Sequence, residues 1–281
     1  MMIPLEDLYN DILSKSIRGR GLGYEEAAKK AEVNWADVTK LKEGHFRPGD
    51  EASLRNLAQV AQLNADALVA SALKTWHPGE IETAQDFAMY ATPYKNDIVV
   101  NSYLIWDRES HLAVAFDTGT DCDGMLDTIK QNQLQLHTIL LTHSHGDHIL
   151  EIDRLMQKTG CTRAFIGQRE PVEGVQSTVK QGDSWQIARF KISALETGGH
   201  SAGGITYIVD GLSEEQSYAF VGDSIFSGSM GGGLVSFQDA FENNLRKILT
   251  LPDDTILCCG HGPLTTVGLE KKYNPFFAGR A

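Results

Sequence analysis

Four side chains of metal-ligand type fall within six residues of this chain: His143, His145, Asp147 and His148, in the run Thr142-His-Ser-His-Gly-Asp-His148. Packed together with no cation between them, such groups would be polar, partly charged and poorly satisfied. Imidazole and carboxylate are the natural donors for zinc, iron or manganese. The run follows Ile139-Leu140-Leu141, so it reads as a buried strand that ends in a polar loop. In extended chain His143 and His145 project to the same side and can grip one ion. Asp147 and His148 follow at the turn into a helix and can reach a second.

Three further residues stand among glycines. They are His200 in Gly198-Gly-His-Ser-Ala-Gly-Gly204, Asp223 in Phe220-Val-Gly-Asp-Ser224, and His261 in Cys259-Gly-His-Gly-Pro263. The last two come just past strand-like runs. Together they read as loops converging on one edge of a sheet. His45, His77, His111 and His137 lack such surroundings and read as surface or core residues.

Before residue 77 the pattern is helical. Leu5, Leu8, Ile12 and Leu13 recur at helical spacing, and Ala27, Ala28 and Ala31 form a small apolar face. Asn34 and Asn64 stand where N-caps belong, Gly44 where a helix stops, and Pro48-Gly-Asp50 opens a further helix. Five short helices make a small all-α bundle over residues 1–76, and Trp76-His-Pro-Gly79 reads as a linker. Over residues 77–281, strand-like runs at 98–106, 111–116, 138–141, 190–195, 205–209, 218–221 and 255–258 alternate with helical stretches at 124–133, 149–158 and 238–249. That alternation predicts a layered α/β domain. Ser229-Met-Gly-Gly-Gly233 reads as a flexible loop beside the site.

The net charge of −12 on 281 residues is unevenly spread. Residues 1–76 carry 10 Lys and Arg against 11 Asp and Glu; residues 77–281 carry 15 against 26. An acidic body of that kind is not drawn to nucleic acid or anionic membranes at long range. No apolar run reaches the roughly 18 residues of a membrane span. The first eight residues lack a basic start and an apolar core, so no signal peptide is expected. Cys122, Cys161, Cys258 and Cys259 form no CxxC or disulfide-like pattern, which fits free thiols in a reducing, cytoplasmic setting.

The ordered set His143, His145, Asp147, His148, His200, Asp223 and His261 resembles, one for one, the dinuclear ligand pattern of the metallo-β-lactamase superfamily. That family is an αββα sandwich, and the resemblance covers about residues 85–281. Gly260-His-Gly-Pro-Leu-Thr-Thr-Val-Gly268, followed by Asn274-Pro-Phe-Phe277, resembles its glyoxalase II-like branch. The resemblance implies one metal site at His143, His145 and His200, a second at Asp147, His148 and His261, and Asp223 bridging both. It implies two divalent metal ions, zinc first, with iron or manganese as alternatives. Asp147 and Asp223 would anchor the metals and orient a bridging hydroxide. The implied reaction is hydrolysis of a small-molecule thioester or related ester, as in a hydroxyacylglutathione hydrolase. Cys259 stands where the related motif has proline. About twenty residues follow His261, so the glutathione-binding residues of the branch's helical C-terminal domain are not carried over.

The segment from Tyr24 to Gly44, with Arg47-Pro48 and Leu54, Leu57 and Leu63, resembles a Cro/cI-type (XRE) helix-turn-helix. The resemblance makes residues 34–43 the recognition helix. Trp35 and Asp37 stand where short polar or basic side chains are expected, and Lys40, Lys42 and Arg47 are a thin set for phosphate contacts. The favoured reading is a bundle that keeps the fold without binding DNA, serving homodimer contact or cover over the active-site mouth. Two alternatives stand beside the hydrolase. One is a DNA-binding regulator with a metal-centre sensor domain. The other is a mononuclear iron, persulfide dioxygenase-like oxidoreductase using only ligands of the His143, His145 and Asp223 type.

Overall fold

Residues 112–116 read Leu-Ala-Val-Ala-Phe and residues 256–259 read Ile-Leu-Cys-Cys, so both runs are apolar on either face and need cover on two sides. The computed structural model, which describes residues 3–95, 98–175 and 177–280, shows that cover arranged in four layers. Met1 and Met2, where the segment read for a leader begins, lie outside the described residues.

One sheet runs in the order β1 (Phe87–Pro93), β2 (Val99–Trp106), β3 (Leu112–Phe116), β4 (Gln135–Leu140), β5 (Ala164–Gly167) and β6 (Ser177–Val179). The other runs β14 (Thr265–Thr266), β13 (Ile256–Cys259), β10 (Tyr218–Gly222), β9 (Ile205–Asp210), β8 (Phe190–Glu196) and β7 (Ser184–Ile187). Side chains alternate as the two-residue period requires. Val114, Phe116, Phe220 and Cys258 face the core between the sheets, with Tyr103, Ile192 and Tyr207. Ala113 and Ala115 face outward, against residues of α6 (Asp123–Gln131) and α8 (Ile152–Thr159). Cys259 joins the opposite outer layer, so the adjacent Cys258 and Cys259 point to opposite faces, and all four cysteines are free and buried.

The outer layer on the second sheet is the unusual one. Ala219, Val221, Leu257 and Cys259 pack there with α9 (Phe237–Asn243), Phe276 and Phe277. The same apolar cluster takes in the N-terminal helices α1 (Tyr9–Gly19), α2 (Tyr24–Ala31), α3 (Trp35–Lys42), α4 (Glu51–Val60) and α5 (Ala65–Ala72). Ile12, Leu13, Ile17, Leu54 and Leu57 are buried in it, each worth about 1.5–3 kcal/mol of apolar transfer. Trp76, read as linker, stacks on Tyr273 of α10 (Val267–Tyr273) with ring centroids 5.4 Å apart.

Asn34 and Asn64 cap α3 and α5 as expected, accepting from the Asp37 and Ala67 backbone N–H groups. Other boundaries differ. The first helix begins at Tyr9, and Leu8 is its exposed N-cap, because the Asp11 carboxylate accepts the Leu8 N–H at that turn. Strands β1, β5, β6 and β7 were not legible, being short or only half buried. The stretch 149–158 is two helices: α7 (Gly146–Ile149), which starts inside the ligand motif, and α8. The stretch 238–249 is α9 followed by a π-helical turn at Asn244–Ile248. The run 229–233 is no open loop at its start. Ser229–Met230 is β12, paired with β11 (Ile225–Phe226) and buried. Among the described residues no helix is long and apolar enough to cross a membrane.

Candidate metal centre

Strands β3 and β4 are parallel, as are β10 and β13, so each pair delivers its following loops to one end of its sheet. From those loops come Thr142 and His143 after β4, Asp223 after β10 and His261 after β13. His200 comes from the β8–β9 connection, and Asp147 and His148 from α7. Asn101 ties the two sheets together beside them. Its backbone N–H donates to Gly260 O at 2.7 Å, and its amide donates to Cys259 O and Gly262 O at 3.0 and 2.8 Å.

All seven predicted site residues meet. The donor atoms of His143, His145, His200 and Asp223 lie within 4.8 Å of one another, and so do those of Asp147, His148 and His261. Asp223 stands between the groups. Its Oδ1 is 3.2 Å from His148 Nε2, and its Oδ2 is 3.3 Å from His200 Nε2 and 3.4 Å from His261 Nε2. Asp147 Oδ2 is 3.4 Å from His261 Nε2. Gly260 makes room for this packing: a Cβ there would sit 2.1 Å from Asp223 Oδ1 and 2.7 Å from His148 Cε1.

The ring tautomers follow from the partners on the far side of each imidazole. His148 Nδ1 meets Asp117 Oδ2 at 2.8 Å, His200 Nδ1 meets Gly232 O at 2.8 Å, and His261 Nδ1 meets Val99 O at 2.7 Å. Carboxylate and carbonyl oxygens only accept, so each Nδ1 carries the proton. His143 Nδ1 donates to Thr142 Oγ1 at 3.0 Å, because that hydroxyl spends its own proton on Asp117 Oδ2. Four Nε2 atoms are thereby turned inward. His145 differs in presenting Nδ1, 3.0 Å from the Nε2 of both His143 and His200. His148 Nε2 and Asp223 Oδ1 are buried without a hydrogen-bond partner. Inward-facing ring nitrogens, orphaned buried polar atoms and a His/Asp donor set fit divalent cations.

Burial pushes the His143 and His200 imidazoles below their ordinary range, and neighbouring imidazoles push them further. Burial works the same way on His148 and His261, but the carboxylates overcome it. Asp223 and Asp117 hold His148 up at about 10, and Asp223 and Asp147 hold His261 up at about 11. Both therefore keep protons that an incoming cation displaces.

Three supporting residues escaped sequence reading: Asp117, Glu170 and Asn101. Asp117 accepts the Thr142 N–H at 2.7 Å as well as the Thr142 hydroxyl and His148. An acid directly after the apolar run Ala113-Val-Ala-Phe116 was its available signal. Glu170 accepts from Ser144 and from Gly203 N at 2.6 Å, pinning the loops of His143, His145 and His200 together. The Ser144 hydroxyl, which lies in the chain between His143 and His145, is the one bound to Glu170.

The family model described as Metallo-beta-lactamase superfamily matches residues 96–261. The uncharacterized protein Rv2581c of Mycobacterium tuberculosis (strain ATCC 25618 / H37Rv) is 27% identical over 213 residues, covering 65% of this chain and 94% of that protein. The crystal structure of BLEG-1 B3 metallo-beta-lactamase superposes with TM-score 0.58 at 28% identity, covering 68% of this chain and all of the other. The crystal structure of TTHA1623 in a di-iron-bound form superposes with TM-score 0.53 at 25% identity, covering 66% and 99%.

Proposed function

Because the chain belongs to the metallo-β-lactamase superfamily, we propose that it hydrolyses a thioester or related ester, with two divalent cations at the His/Asp centre. The observation that carries this reading is the pair of donor clusters with Asp223 between them. His143, His145 and His200 would hold one ion and Asp147, His148 and His261 the other, with Asp223 shared. When bound, the ions supply Lewis acidity, lowering the pKa of water to near neutrality and polarising a carbonyl. The chain's own part is orientation and proton handling. Asp117, Thr142, Gly232 and Val99 fix the imidazoles. Asp147 is the more exposed of the two site carboxylates, and it can take a proton from an attacking water and return it to the leaving thiolate or alkoxide.

The di-iron form of TTHA1623 supports a two-ion centre and keeps iron beside zinc and manganese as the occupant. The second cluster speaks for two ions and against the mononuclear dioxygenase reading. The tail motif Gly260–Gly268 supports the glyoxalase II-like branch. Leu150, Leu234 and Val235 are exposed on loops adjoining ligands, which suits an apolar acyl group. Stoichiometric metal with thioester turnover that chelation abolishes is expected. The panel should include a β-lactam, since BLEG-1 is a B3 metallo-beta-lactamase. A protein loaded with two ions yet inert to thioesters and esters would sink the proposal.

The N-terminal helices are read as an outer layer and not as a DNA reader. Their shared core with the second sheet supports this, as does the use of Lys40 on Asp50 and of Lys42 on the Tyr24 ring. Recovery of a specific operator by unbiased selection would overturn that. Four free buried cysteines suit a cytoplasmic location.

A further inference from the structure

The hairpin that follows Asp223 has an unusual anchor. Strand β12 leads directly into Gly231 and Gly232, and both touch the metal centre. A Cβ on Gly231 would lie 1.7 Å from Asp223 O and 3.1 Å from His200 Nδ1, so the chain there presses against both ligands. Gly232 O accepts the His200 Nδ1 proton. Whatever places Ser229 and Met230 therefore also places the acceptor that orients His200.

What places them comes from the far end of the chain. Lys15, on α1, pairs with Asp7 and donates to Met230 O at 3.0 Å. Asp7 is buried and also accepts the Ser229 hydroxyl at 2.6 Å. The Lys15 ammonium lies 5.2 Å from the centroid of the Phe226 ring, and Phe226 stands edge-on to the His261 imidazole at 5.6 Å and 87°. The segment just before Asp7 crosses the His261 loop: Glu6 N is 3.2 Å from where a Cβ on Gly262 would be. One cation from the N-terminal region thus touches both the hairpin that orients His200 and the ring that backs His261.

We infer that Lys15, held by Asp7 and Ser229, is a positioning residue of the metal centre, setting the Gly231–Gly232 turn against His200 and Asp223. Removing the ammonium leaves a buried Asp7 carboxylate unpaired next to Ser229, so the hairpin must shift or Asp7 must move to water. Either motion displaces the Gly232 carbonyl, and outer partners of metal-bound histidines govern ion affinity. The inference rests on the proposed metal centre, and its test does not depend on substrate.

Zn(II) affinity is measured by competition with a chromophoric chelator on the full chain, for wild type, Lys15→Met, Lys15→Arg and Ser229→Ala. Visible spectra of the Co(II)-loaded proteins are recorded with unfolding midpoints of the metal-free proteins. Lys15→Met and Ser229→Ala are expected to weaken one Zn(II) by about tenfold or more and to alter the Co(II) bands, with Lys15→Arg recovering most of both. If Lys15→Met fails to fold, Ser229→Ala decides, since it removes a single hydroxyl. Unchanged affinity and spectra in folded variants, with only the unfolding midpoint lowered, would overturn the inference while leaving the centre intact. A wild type that takes up no stoichiometric Zn(II) overturns the metal-centre reading itself, and the inference with it.

Discussion

Replacing Glu270 by Gln should stabilise the protein, and by an amount that depends on pH. Glu270 is fully buried on α10, 9 residues along the chain from His261 and outside the ligand set. Its Oε1 accepts from Thr265 Oγ1 at 2.7 Å, and its Oε2 accepts from Gly228 N at 2.9 Å and Asn274 Nδ2 at 2.7 Å. Burial outweighs those three donors and raises its pKa from 4.5 to about 7. The folded state thus binds the proton more tightly than the unfolded state. Below the unfolded pKa both states are protonated and nothing is lost. Stability then falls as pH rises towards 7, by about 1.4 kcal/mol per unit, and the full penalty of about 3 kcal/mol is present above it. Gln reproduces the protonated form: its carbonyl can serve Gly228 and Asn274, while Thr265 turns its hydroxyl to accept from the amide. Urea unfolding in the presence of a chelator, from pH 5 to pH 8, gives the difference between variant and wild type. That difference should be below about 1 kcal/mol at pH 5, just above the unfolded pKa, and reach a few kcal/mol in favour of Gln at pH 8. A difference that stays flat with pH, or a variant less stable at pH 8, would refute the assignment of this carboxylate as a buried, costly charge.

Other perturbations act on the centre and on the outer layer. Asp117→Asn keeps one carbonyl oxygen for the Thr142 N–H but replaces Oδ2, the acceptor that His148 Nδ1 and the Thr142 hydroxyl share, with a donor amide, and ion affinity should fall about 10- to 100-fold in chelator competition. Gly260→Ala places a methyl on Asp223 and His148, and metal analysis of the purified protein should show fewer ions per chain than wild type. Asn64→Ala loses the cap of α5 and should lower unfolding free energy by about 1 kcal/mol, read from the urea midpoint.

Much of the centre was legible because metal chemistry restricts residue choice. Few side chains bind cations, so His143, His145, Asp147 and His148 announce themselves by crowding, and His200, Asp223 and His261 by their glycine surroundings. The structure brings all seven together. The alternation of apolar runs likewise pointed to layered sheets, because strands covered on both faces must be apolar on both. Supporting residues were not legible. Asp117, Glu170 and Asn101 are ordinary polar residues in the chain, and they matter only for what lies across a gap of many residues. Asp117 meets His148 31 positions away, and Asn101 meets Gly262 161 positions away.

The N-terminal helices show the boundary most clearly. Their apolar spacing and their caps at Asn34 and Asn64 were determined locally, since a helix N-terminus needs an acceptor within three residues. Where the helices would lie was not, because an amphipathic face specifies only that it must be covered, not by what. Tertiary packing set that face on the second sheet and carried Lys15 to a hairpin 215 residues away. The sequence alone therefore determined which atoms could hold a cation. The folded chain decided which distant groups hold those atoms in place, because long-range contacts depend on layer order and not on local pattern.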